Sequence, residues 1–223
     1  MSLTQAQRVF ASIHESALND LLTAFFNARP RYLRYGSPAF VPSTNVTATQ
    51  MAAIAFPGLP GGIEWAVQFA TPRIDLHKQS DALPTQLSLP AGGFSLRTDV
   101  ELCINCVKRR DDRGKPNHDD PKNRGLGEVN CTRLQVFAIG HLDSWNDSAG
   151  NGEIRLRVDA VELVDITPDS LESVLECLIR MLLDAVLSQV HLPIQALRAD
   201  AFSLVVSQGP LIDDDHVLAR GNV

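Results

Sequence analysis

Cysteine is scarce in this chain, with four in 223 residues. That is too few for a disulfide scaffold and agrees with a reducing compartment. Positive charge is short as well: 20 Lys and Arg stand against 26 Asp and Glu, a net charge of −6. Nothing in bulk would hold a phosphate backbone, which excludes nucleic acid as a partner. No apolar run approaches the roughly 18 to 20 residues that span a bilayer, so no transmembrane segment is expected. The stretch from Met1 to Ile13 carries Gln and Arg where a signal peptide would carry its apolar core, which reads as a cytoplasmic protein. The sequons at Asn45, Asn130 and Asn146 then have no meaning without secretion. Gly at 14 and Pro at 13 are ordinary usage and exclude a collagenous or low-complexity chain.

Catalytic signatures are missing too. There is no G-x-S-x-G elbow, and no histidine sits where it suggests a serine or cysteine partner. The glycines at 58, 61 and 62, and at 125 and 127, lack the lysine and the strand-to-helix setting of a phosphate cradle. The Cys103-Ile104-Asn105-Cys106 motif could join His118 and Cys131 in a Cys3His zinc site. Yet it lies in an alternating segment, where residues three apart point to opposite faces. The thiols are therefore expected to be packed or idle, and Cys103→Ser to be nearly neutral. His118-Asp119-Asp120 and Asp213-Asp214-Asp215-His216 read as solvated surface, lacking the spaced oxygens and glycine of a calcium loop. Cys177 reads as a small core residue. No enzyme, metal or cofactor is expected.

What the chain does have is patterned apolar residues, at 44% of the total with 21% charged. Thr4 and Gln7 form a capping box, followed by Val9, Phe10, Ile13, Ala17, Leu18, Leu21, Leu22, Phe25 and Phe26. This spacing predicts an N-terminal helix ending near Asn27. From about residue 44 to 165 the period falls to two. Trp65, Val67 and Phe69 form one alternating set; Phe94, Leu96, Val100, Leu102 and Ile104 a second; Ile154, Leu156, Val158 and Ala160 a third. One apolar and one wet face predict long antiparallel strands. The polar stretch from Lys108 to Glu128 reads as an exposed hairpin tip. A second helix opens at Thr167-Pro168 and is lined from Leu171 to Val190 by Leu, Val, Ile and Met. Its apolar arc covers roughly two thirds of the circumference, wider than a surface helix needs. Glu176, Arg180 and Asp184 form the polar remainder. A strand at Phe202, Leu204 and Val206, a turn at Gln208-Gly209-Pro210 and a short strand near Val217 to Ala219 close the chain.

The carboxy-terminal third resembles the tubular lipid-binding (TULIP) superfamily, which includes the bactericidal/permeability-increasing proteins. The matching features are Thr167-Pro168 before a Leu-rich helix, then Val190-His191-Leu192-Pro193-Ile194, Phe202-Ser203-Leu204-Val205-Val206 and Gly209-Pro210-Leu211-Ile212. The resemblance implies a single α+β domain over residues 1–223, with a long curved antiparallel sheet wrapped around a long helix. It also implies binding of a lipid or other apolar small molecule in a tube between them. The superfamily supplies no invariant binding residues. On a wrapped sheet the lining falls to Trp65, Val67, Phe69, Leu102, Ile104, Leu156 and Val158, facing Leu175, Leu178, Leu182 and Val186. The alternative is an interaction subunit of the same fold with a filled core, docking a protein partner or forming a homo-oligomer.

Overall fold

The computed structural model describes residues 9–57, 59–76, 83–106, 129–146, 152–164, 169–193 and 205–222. Several expectations fall outside them: the capping box at Thr4, the polar tip from Lys108 to Glu128 with His118, the cap at Thr167-Pro168, and Phe202 and Leu204. The described elements make an α+β fold. In chain order they are β1 (Val9–His14), α1 (Glu15–Ala28), a 3-10 turn (Pro30–Leu33), β2 (Arg34–Gly36), β3 (Thr49–Gln50), β4 (Ile54–Phe56) and β5 (Leu59–Phe69). Then follow β6 (Arg73–Asp75), β7 (Gly93–Cys106), β8 (Asn130–Asn146), β9 (Gly152–Leu163), α2 (Asp169–Leu187), β10 (His191–Pro193), β11 (Val205–Asp213) and β12 (His216–Asn222). The chain falls into two compact units, with divisions inside α1, between β5 and β6, inside β7 and inside β8.

The first unit comprises Met1–Phe25, Thr71–Thr98 and Gln135–Val223. Here the expected N-terminal helix is corrected. Val9–His14 is a strand, paired residue for residue with Gly221–His216 of β12, and the helix begins only at Glu15. Val9, Phe10 and Ile13 fit a helical period, but cross-strand pairing overrides so weak a local signal. Another correction concerns Gln208-Gly209-Pro210. The chain does not reverse there; β11 runs on with two irregularities in its pairing to β12. The reversal comes at Asp214 and Asp215, both at positive φ (41 and 62). This is the two-residue turn whose twist suits a hairpin, and aspartate tolerates it better than most residues.

Also in this unit, β8 pairs antiparallel with β9, and β10 pairs with β9 near its start. Along β9 the buried residues are Gly152, Ile154, Leu156 and Val158, and then Val161 and Leu163. The parity changes because Asp159 is an extra residue, a bulge between the Ile139–Ala160 and Gly140–Val158 pairs. Ala160 thus leaves the apolar set that the sequence gives it. The bulge fits around Gly140, where a Cβ would collide with the Arg157 carbonyl and the Phe94 ring. Asp159 turns its carboxylate to His141 Nδ1 at 2.9 Å.

The second unit comprises Phe26–Ala70 and Asp99–Leu134. β5 lies between β2 and the latter half of β7, antiparallel to both, and β3 pairs with β2 in parallel, so the sheet is mixed. Ser37, fully buried, ties the β2 end to β5: its hydroxyl donates to the Trp65 carbonyl at 3.1 Å and accepts from the Trp65 amide at 2.8 Å. The Trp65 indole donates to the Ala52 carbonyl at 3.0 Å. The Tyr35 ring meets Phe69 edge-on with centroids 6.4 Å apart, and burial pushes its hydroxyl pKa up to about 12.

Candidate functional site

The proposed lining residues separate into two groups. In the second unit Trp65, Val67 and Phe69 alternate along β5, and the register places Trp65 beside Ile104 and Val67 beside Leu102. All five therefore share one face of the β5–β7 ladder. Trp65, Val67, Phe69 and Leu102 are buried, and Ile104 is half-buried. In the first unit α2 packs against β9. Leu156 and Val158 are buried on β9; Leu175, Leu182 and Val186 are buried on α2; Leu178 is half-buried. None of the buried nine exceeds 9% exposure, and Val186 has none. A side chain bordering a space wide enough for water keeps some accessible surface, so each set is closely packed within its surroundings.

The polar residues of α2 do not form the solvated stripe that their spacing suggests. Glu176 and Asp184 turn toward β9, where Oε1 of Glu176 accepts from the Leu163 amide (3.4 Å) and Oδ1 of Asp184 from the Val158 amide (3.2 Å). Arg157 adds an ion pair to Asp184 at 3.3 Å. Carboxylates thus take up strand amides that the β8 pairing leaves over. Glu162 of β9 joins Glu172 and Glu176, with ligand oxygens within 4.8 Å of one another. Burial first, then the charges of Glu176 and Glu172 and a hydrogen bond with Glu176, push the Glu162 carboxyl above its ordinary range. Three oxygens of this kind are the donor type for a hard divalent cation.

The opposite side of α2 carries the feature that sequence reasoning missed. Val174 is 65% exposed and Met181 62%. Cys177 between them is an exposed free thiol, which corrects its assignment to the core. At 100° per residue Val174, Cys177, Leu178, Met181 and Ala185 form one outward stripe. The excessive width of the apolar arc was the signal available in the sequence.

The expectation of packed or idle thiols is corrected for Cys103 and Cys131 as well. Cys103 and Cys131 form a disulfide, with Cα atoms 4.1 Å apart, so neither is an idle thiol nor a zinc ligand. Cysteine usage therefore gives no argument for a reducing compartment. Two residues along, Asn105 is 1% exposed although it lies on the wetter face of β7, and among the described residues neither its Oδ1 nor its Nδ2 has a hydrogen-bond partner. Elsewhere, an open cleft of about 430 Å³ is bordered by Arg31, Tyr32, Asn45, Val46, Ala48 and Thr49, none of them a proposed lining residue. Arg31 lies over the Tyr32 ring and donates to its hydroxyl at 3.1 Å, which lowers that hydroxyl's pKa. No described helix is long and apolar enough to cross a membrane. Compared with known proteins, the chain matches no family model and no curated protein.

Proposed function

We propose that the protein is a non-enzymatic interaction domain with a filled core, which docks a protein surface against the outer face of α2. The near-complete burial of the proposed lining residues carries this reading. An aliphatic ligand needs empty, apolar-walled volume, and side chains packed to this degree border very little of it. On α2, apolar surface open to recognition lies outside, on Val174, Cys177 and Met181.

A second reading keeps the lipid or other apolar small molecule in a tube between sheet and helix, as the TULIP resemblance implies. What favours it is the half-buried state of Ile104, a lining residue that retains accessible surface. Val186→Trp separates the two. In a filled core the indole overpacks and costs roughly 1 to 3 kcal/mol or more, and the wild-type protein takes up no apolar dye. Saturable dye uptake by the wild type, abolished in a Val186→Trp variant of unchanged melting temperature, would overturn the filled core.

A further inference from the structure

The geometry points to a binding site for an organic phosphate monoester in the cleft between the 3-10 turn and the start of β3, with Arg31 as the group that takes the phosphate. This site goes beyond the docking of α2 and does not depend on whether the core is filled.

Sequence and backbone build the cleft together. Between Asp20 and Glu64 the chain has no acid and three cations, Arg29, Arg31 and Arg34, although its net charge is −6. Such a stretch holds a local positive potential that the chain as a whole lacks. The 3-10 turn buries Leu33 and leaves Arg31 exposed and Tyr32 half-buried. The other wall is the segment that leads into β3, and hydrogen bonds fix both sides. Thr49 donates from Oγ1 to the Arg31 carbonyl at 3.1 Å, tying one wall to the other. Oδ1 of Asn45 accepts the Thr47 amide at 2.9 Å and the Thr47 hydroxyl at 2.8 Å, and the Asn45 amide donates to the Pro42 carbonyl at 2.9 Å. The cleft volume of about 430 Å³ lies within the roughly 300 to 1,000 Å³ of small-molecule sites.

The charges face the same space as the walls. Arg31 borders the cleft, lies over the Tyr32 ring and donates to its hydroxyl. It has no carboxylate partner among the described residues, and one bond to Tyr32 leaves most of its five donors for a ligand. No acid borders the cleft among the described residues. The hydrogen bond from Arg31, and then the charges of Arg31 and Arg29, outweigh burial and lower the Tyr32 pKa, so two cations act on one lining group. Two cations suit a dianion, and the planar fork of arginine matches phosphate oxygens. With Oδ1 committed to Thr47, Asn45 has its two amide donors to offer, which again suits a ligand that only accepts. Val46, 83% exposed, and Ala48 add an aliphatic wall that a bare phosphate ion would leave uncovered. An aryl or alkyl body on the phosphate covers it.

Equilibrium dialysis of the full chain against phenyl phosphate tests the site. Saturable retention is expected, weakening as salt is raised. Inorganic phosphate, which lacks the apolar body, and benzoate, which brings a single charge, should each bind roughly tenfold more weakly or worse. Arg31→Ala should weaken phenyl phosphate binding by roughly tenfold or more, with an unchanged circular dichroism spectrum. Val46→Asp sets an acid at an exposed position of the rim, should also weaken binding, and serves if the first variant does not fold. Vesicles containing phosphatidic acid distinguish the two sources of a phosphate monoester. Co-sedimentation that phenyl phosphate releases supports a lipid headgroup, and failure to co-sediment supports a soluble ester. No saturable retention of phenyl phosphate, or an affinity that both variants leave unchanged, would overturn the site. Equal affinity for benzoate would overturn the choice of phosphate, and equal affinity for inorganic phosphate the organic body.

Discussion

At the residue scale, the polar groups that look ordinary in sequence are the ones whose surroundings decide their behaviour. Glu162 has the parity of Ile154, Leu156 and Val158, and only the bulge at Asp159 takes it off their buried face; there α2 brings Glu172 and Glu176 against it. Its pKa is raised above the unfolded value by burial and then by those charges, so ionisation opposes folding. The stability it contributes is full below the ordinary glutamate pKa of roughly 4.3 and is lost as pH rises through the elevated folded value. Glu162→Gln removes the ionisation. Its melting temperature should exceed that of the wild type at pH 7, with the gap closing as the pH is brought to about 4. Parallel melting curves for the two proteins across that range would show that the cluster does not repel. None of this was legible in the sequence, because Glu162 meets its neighbours only through the packing of α2 on β9. Asn105 is a similar case: its alternation marks it as wet, yet it is buried with no partner for its amide among the described residues.

At the scale of elements, both helices bind strand backbone with side chains. Asn19 of α1 donates from Nδ2 to the Ile74 carbonyl and accepts the Ile74 amide at Oδ1, both at 2.8 Å, reproducing the two bonds of a neighbouring strand. Glu15 accepts the Leu76 amide at 2.9 Å. These contacts cover the edge of β6 that β7 does not pair, as Glu176 and Asp184 do for β9. Asn19→Ala leaves both groups of Ile74 without those partners and should cost about 1 to 3 kcal/mol in a denaturant titration. Asn19→Asp, which keeps the acceptor alone, should recover part of the loss; if alanine and asparagine proved equally stable, the contact would be ornamental. The elements themselves were partly legible. Periodicity found β5, β7, β9 and α2, because long segments with one dry face leave a strong pattern. It took β1 for the start of a helix, since six residues suit either period until β12 pairs with them. The Asp159 bulge was invisible for a related reason, depending on a glycine eighteen or more residues away in β8 whose missing Cβ admits the Arg157 carbonyl. For the site, the pattern identified the buried side chains, while a packed core and a walled cavity share the same alternation. Which arc of α2 stays uncovered is likewise a property of tertiary packing.

At the scale of the whole molecule, the disulfide changes the most. Cysteine count points to a reducing compartment, and the alternation that turns Cys103 and Cys106 to opposite faces points to a Cys103→Ser variant that folds as well as the wild type. The bond from Cys103 to Cys131 instead joins β7 to the start of β8 and closes a loop with a sequence separation of 28. Within the chain-entropy account, a loop of that length stabilises by about 3.5 kcal/mol, because the cross-link removes conformations that only the unfolded chain can explore. That is a large share of the roughly 5 to 15 kcal/mol of a whole domain, so the cross-link bears on where the protein can persist. Cys131 is exposed and Cys103 half-buried, so the bond is open to a dithiol reductant, which would take it to two thiols with the transfer of two electrons and two protons. The Cys103→Ser, Cys131→Ser double variant should unfold at a markedly lower denaturant concentration than the oxidised wild type. Wild-type protein incubated with dithiothreitol should match it. Intact mass should show the oxidised chain two daltons lighter, which separates loss of the cross-link from any effect of the serines themselves. Equal midpoints for oxidised, reduced and doubly substituted protein would mean that the 28-residue loop is already restrained in the unfolded chain. The original expectation of near-neutral cysteine substitution would then return.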